Sequence, residues 1–65
     1  MEIRLNGKQQ ITGCTSLSML IKEAGFDSDA LIAEVNHQVI KQSDWDNTPV
    51  RDGDQIELLS FVGGG

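Results

Sequence analysis

An α+β fold, with a mixed sheet of about five strands around one main helix, is what the sequence predicts. Three observations carry that expectation. The chain has 65 residues, which leaves room for one domain with one small core. Met1, Ile3 and Leu5 alternate with Glu2, Arg4 and Asn6, the two-residue period of a half-buried strand. Leu17, Leu20, Ile21 and Ala24 fall at i, i+3, i+4 and i+7, the stripe of an amphipathic helix.

The first strand ends at Asn6-Gly7, a hairpin signal. A two-residue turn there would set Leu5 opposite Lys8 and Ile3 opposite Gln10, with polar groups on the core face. A three-residue loop with a bulge at Gly7 is therefore expected, which keeps Ile11 on the face of Ile3 and Leu5. The helix comes next, with Thr15 or Ser16 to cap its first amides. Gly25 takes the left-handed position that stops it, and Phe26 folds back onto its last turn.

After the polar connector Asp27-Ser28-Asp29, Ala30 to Val35 is apolar except for Glu34. Such a run suits a central strand covered on at least part of both faces. Asn36-His37-Gln38 turns the chain into the short strand Val39-Ile40. Ser43-Asp44-Trp45-Asp46 reads as one capped helical turn whose Trp45 plugs the open end of the core, and Pro49 ends it. Asp52-Gly53 marks a tight turn before the last strand, Gln55 to Val62. One helix wrapped by a mixed sheet in this order is the β-grasp arrangement. The domain is expected to span residues 1–62, with residues 63–65 as a flexible glycine tail.

Composition excludes several function classes. Ten acidic residues against five basic ones give a net charge of −5. Nucleic acid and anionic membrane are not expected partners, because phosphate binding needs clustered Lys and Arg. Arg4, Lys8, Lys22, Lys41 and Arg51 are scattered. A negative domain suits docking on a basic protein surface, although charge also serves solubility alone. The single cysteine, Cys14, forms no internal disulfide, as in a reducing compartment. No signal-peptide pattern comes after Met1, and no apolar run reaches bilayer length. The expected location is the cytoplasm.

No catalytic constellation stands out. A nucleophile needs a base within hydrogen-bond reach, and Cys14 and His37 are singletons. Cys14 is more simply a small buried hydrophobe, and His37 a solvated turn residue. Asp52-Gly53-Asp54 lacks the alternate ligands and distal Glu of a calcium loop. Asp44 and Asp46 beside Trp45 belong to a capped turn rather than an acid/base pair. No His/Cys cluster has zinc spacing.

The last strand and the residues after it carry more. Ile56 and Leu58 share one face with Ser60 and Val62, while Gln55 and Glu57 share the other with Leu59 and Phe61. The polar face thus turns apolar toward the end of the strand. Leu59, Phe61 and Val62 are the expected partner-docking residues, the plainer reading being a second edge of the core. Gly63-Gly64-Gly65 then ends the sequence. Three glycines in a row do not order alone, and four residues from Val62 reach at most about 14 Å. Without Cβ atoms, such a thread passes a channel too narrow for other residues. A frayed terminus is the plain alternative.

These features together resemble the thiamine sulfur-carrier family, ThiS, over essentially the whole chain. The residues that carry the resemblance are Asn6-Gly7, Asn36, Trp45, Val50-Arg51-Asp52-Gly53-Asp54 and Phe61-Val62-Gly63-Gly64-Gly65. The internal motifs are common to ubiquitin-like folds. The short length with the Val-Gly-Gly-Gly ending is more particular to ThiS. One departure is His37, where many relatives have glycine.

The resemblance implies a carrier protein that is a co-substrate of other enzymes rather than an enzyme. An E1-like, ThiF-like enzyme adenylates the Gly65 carboxylate using ATP and Mg, none of which this chain binds itself. Sulfur from a cysteine-desulfurase-linked persulfide then takes the place of AMP. The Gly65 thiocarboxylate feeds sulfur to thiazole synthase (ThiG-like). Gly63 and Gly64 lie in the partner's channel. The nearest rival is the MoaD-like small subunit of molybdopterin synthase, which is similar in its Gly-Gly end but tends to be longer. A carrier for another sulfur pathway, a protein modifier that forms isopeptides, and a plain interaction module share the fold.

Overall fold

The computed structural model describes residues 1–61. Its elements in order are β1 (Glu2–Leu5), β2 (Lys8–Ile11), α1 (Leu17–Ala24), a 3-10 turn Ser28–Ala30, β3 (Leu31–Val35), β4 (Gln38–Ile40), a 3-10 turn Gln42–Asn47, and β5 (Gln55–Ser60). The strands form one sheet in the order β2-β1-β5-β3-β4. β1 and β5 run parallel, and the other neighbours are antiparallel. The predicted α+β, β-grasp arrangement of five strands and one main helix is the observed one.

One face of the sheet meets the helix. Ile3, Leu31, Ala33, Ile56 and Leu58 from the strands join Leu17, Leu20 and Ile21 from α1, and Cys14, Trp45 and Val50 complete the core. Each fully buried Leu or Ile contributes about 1.5–3 kcal/mol by leaving water. Ser16 caps α1 by accepting a bond from the Met19 amide at 3.3 Å. Gly25, at φ 82, ends it, and the Phe26 amide donates to the Ile21 carbonyl at 3.4 Å, which turns Phe26 back onto the core. Trp45 is buried, and its indole N–H donates to the Ile40 carbonyl at 2.9 Å.

Several expectations need correction. The first hairpin has a two-residue turn, not a three-residue loop with a bulge: Leu5 faces Lys8, Ile3 faces Gln10 and Glu2 faces Ile11. Asn6 (φ 52) and Gly7 (φ 81) are both left-handed, the conformation that closes such a turn with the right twist. A register one residue away flips every side chain, so Ile11 lies on the other face, 74% exposed. Polar Lys8 and Gln10 are tolerated on the helix side because β2 is an edge strand.

β3 is not covered on both faces. Leu31 and Ala33 are buried and Ile32 is exposed, while Ala30 belongs to the preceding 3-10 turn. Ala24, placed on the buried stripe of the helix, is exposed in its last turn. The turn around Trp45 is longer than expected and has no side-chain cap at its start. β5 ends at Ser60, and Val62 lies outside the described residues.

β5 is held on both edges by asparagine side chains. Along β1, the Arg4 amide donates to the Asp54 carbonyl and the Asn6 amide to the Ile56 carbonyl, each at 2.9 Å. Where β1 turns away, the Asn6 carboxamide takes over. Its Oδ1 accepts from the Leu58 amide at 2.8 Å and its Nδ2 donates to the Leu58 carbonyl at 3.2 Å. A carboxamide has the donor and acceptor of a peptide group, so the side chain adds one more rung to the ladder. On the other edge, Asn36 Oδ1 accepts from the Gln55 amide at 3.0 Å, and its own amide donates to the Gln55 carbonyl at 2.7 Å.

Candidate functional site

The strand that leads to the chain's final residues is thus the central and most braced one. It sorts its side chains cleanly. Ile56 and Leu58 are buried against the helix, while Leu59 is 50% and Phe61 49% exposed. The Phe61 amide donates to the Ala30 carbonyl at 3.0 Å, which anchors the backbone one residue beyond β5. The two expected docking residues within the described chain, Leu59 and Phe61, are therefore surface residues and not a second edge of the core.

The structure adds neighbours that the sequence did not single out. Ile32 is the cross-strand partner of Leu59 and is 41% exposed. Cross-strand partners point to the same side of a sheet, so the two form one apolar pair on the face away from the helix. By the two-residue period, Phe61 continues the side of Leu59. One step back along the sheet, Glu34 pairs with Glu57 across β3 and β5, and Val39, 66% exposed, pairs with Glu34 across β4. Glu34 and Glu57 line a shallow depression together with Arg4, His37 and Gln55. The sequence signal for Ile32 was its alternation with Leu31 and Ala33, which the apolar run around it concealed.

The less favoured candidates also have definite places. Cys14 is buried in the core, and its thiol donates to Glu23 Oε2 at 3.2 Å. His37 is exposed in the turn between β3 and β4, at φ 70. Asp52 Oδ1 accepts from the Glu2 amide at 2.8 Å, Asp54 Oδ2 from the Arg51 amide at 2.8 Å, and Asp54 Oδ1 from Asn36 Nδ2 at 3.0 Å. Their carboxylates close turns rather than face a ligand. Among the described residues, no group of three His, Cys, Asp or Glu is placed to hold a metal ion, and no helix is long and apolar enough to cross a membrane. The remaining expected site residues, Val62, Gly63, Gly64 and Gly65, lie outside the described residues.

The fold and this face can be set beside known proteins. The model of the ThiS family matches residues 3–65. The chain belongs to the ThiS family. The crystal structure of a thiamine biosynthesis protein (ThiS) from Geobacter metallireducens superposes with a TM-score of 0.85 at 30% identity, covering all of both chains. Among curated relatives, a thiazole synthase of Paramagnetospirillum magneticum is 30% identical over 66 residues, all of this chain and 20% of its own length. An uncharacterized protein, ycf40, of Trieres chinensis is 31% identical over 62 residues, 94% of this chain and 85% of its own. The chain thus spans about a fifth of the length of the thiazole synthase it matches.

Proposed function

We propose that this ThiS-family chain is the sulfur carrier for building the thiazole ring of thiamine, and that its working group is the carboxylate of Gly65. A carboxylate is a poor electrophile. An E1-like adenylating enzyme, using ATP and Mg, makes it an acyl adenylate whose AMP is a good leaving group. The terminal sulfur of a cysteine-desulfurase-linked persulfide then attacks the acyl carbon and expels AMP, and a thiol reductant cleaves the S–S bond of the resulting acyl disulfide to leave the thiocarboxylate. The thiocarboxylate donates that sulfur to thiazole synthase. This chain supplies the reacting end and a surface to hold it, while the enzymes supply the catalytic groups. Leu59, Phe61 and Val62 form the grip, and Gly63 and Gly64 the thread through the partner's channel.

The observation that carries the reading is the family match running through residue 65, so that it includes Gly63-Gly64-Gly65. The choice of thiazole synthase as consumer is supported by the relative in which a segment like this whole chain is part of one polypeptide called thiazole synthase. The test is intact-mass analysis after incubation with the cognate adenylating enzyme, ATP, Mg and a sulfur source. The expected product has one terminal oxygen replaced by sulfur. Deleting Gly64-Gly65 should leave thermal unfolding unchanged and abolish thiazole formation. A truncated chain that still supported thiazole formation would end this reading.

A further inference from the structure

The open face of the sheet is chemically uneven. Ile32, Leu59 and Phe61 are exposed apolar groups at one end, and the next cross-strand row is Glu34 opposite Glu57. Like charges directly opposite one another destabilise a sheet, and a domain this small has little stability to spare. Arg4 lines the same depression, but it stands one row further on, opposite Gln55. One guanidinium against two carboxylates leaves a negative charge in excess. In the free carrier, water and salt screen that charge. Covering Ile32 and Leu59 strips water from the row beside them, and a carboxylate that loses water without gaining a partner is costly.

We infer that this face docks on a protein surface in which an apolar patch, covering Ile32, Leu59 and Phe61, is set beside an arginine or lysine that enters between Glu34 and Glu57. The inference rests on the carrier reading above and deepens it by naming the chemistry of the surface that holds the carrier. A purely apolar partner leaves the two carboxylates desolvated and is rejected, so the acidic pair acts as a specificity element. A second copy of this chain is also rejected, because it would bring the same two carboxylates to a chain already at net −5. A basic surface gains twice: the pair is neutralised, and the encounter is steered.

The test uses the full-length carrier and its cognate adenylating enzyme. Glu34→Gln with Glu57→Gln, and separately Leu59→Asp, are compared with the unaltered chain by thermal unfolding and by titration calorimetry at low and near-physiological salt. The glutamine pair should unfold at the same temperature or higher, because a repulsion is removed. It should nevertheless bind about tenfold more weakly at low salt, with a flatter salt dependence. Leu59→Asp should weaken binding by about tenfold or more with unchanged unfolding, as for a buried interface anchor.

Unchanged affinity and salt dependence in the glutamine pair overturn the inference. So does a loss of affinity that merely tracks a loss of stability. Self-association of the unaltered chain that Leu59→Asp abolishes assigns the face to a second copy and overturns it too. Sulfur loading of the unaltered chain, monitored by intact mass in parallel, separates the two proposals. If sulfur is gained while the glutamine pair binds normally, only the docking inference falls. If none is gained, the carrier reading falls.

Discussion

Replacing Asn6 probes the bracing of β5, the strand that carries Leu59. Its carboxamide makes two bonds to the Leu58 backbone, at 2.8 and 3.2 Å, and its backbone sits at φ 52. Asn6→Gly removes the side chain but suits the left-handed turn. It leaves the Leu58 amide and carbonyl, on a buried residue of the central strand, without those partners, which costs about 1–3 kcal/mol. Asn6→Ala loses the same bonds and also forces a Cβ into the left-handed region, which adds about 1 kcal/mol. A domain of this size holds roughly 3–10 kcal/mol in all. Each kcal/mol moves the melting temperature of such a domain by about 4–8 °C.

Urea and thermal unfolding should therefore rank the variants as unaltered chain, then Asn6→Gly, then Asn6→Ala, with the two steps resolved. Hydrogen exchange at the Leu58 amide should quicken in both variants relative to the other amides of β5. Two results would refute the reasoning. If neither variant costs more than about 0.5 kcal/mol, a range typical of surface changes without special contacts, the carboxamide is not a rung of the ladder. If glycine and alanine cost the same, the left-handed turn is not what holds the position.

Backbone conformation and burial yield two other predictions. His37→Gly, at φ 70, should raise stability by about 0.5–1 kcal/mol, because histidine has a Cβ in a left-handed position; a lower urea midpoint would contradict this. Ile11→Lys should change stability by no more than about 0.5 kcal/mol, since Ile11 is exposed on the edge strand; a loss of several kcal/mol would restore it to the core.

How much of the fold and site is legible in the sequence depends on the distance over which each feature is decided. The helix is readable with a cap at Thr15 or Ser16, which the structure assigns to Ser16, and with its Gly25 stop, because stripe, cap and stop are local. The exposure of Leu59 and Phe61 comes from alternation within one strand. The register of the first hairpin is not readable in the same way. Burial favours Ile11 inside, but the Asn6-Gly7 pair closes a two-residue turn and fixes the register first. Ile32 is hidden because an apolar run reads as buried on both sides unless something shows that one side is bare. Asn6 and Asn36 are readable as turn formers, but their bonds to β5 join residues far apart in sequence, which no local pattern records.

Phe61 is the last described residue, its amide held by the Ala30 carbonyl, and Gly65 is four positions further along the sequence. Four residues reach at most about 14 Å. Under the proposed function, an enzyme acting on Gly65 must therefore bring its reacting centre within that distance of the Ala30–Phe61 end of the open face. Under the carrier role proposed above, an enzyme that loads Gly65 and one that unloads it would then compete for the same end of the sheet. Each complex must dissolve before the next step can begin. At an association rate of about 10⁶ M⁻¹ s⁻¹, a Kd near 1 µM releases the carrier in about a second, while a nanomolar Kd holds it for many minutes. Turnover through a link this short therefore sets a ceiling on how tightly either enzyme can profitably bind.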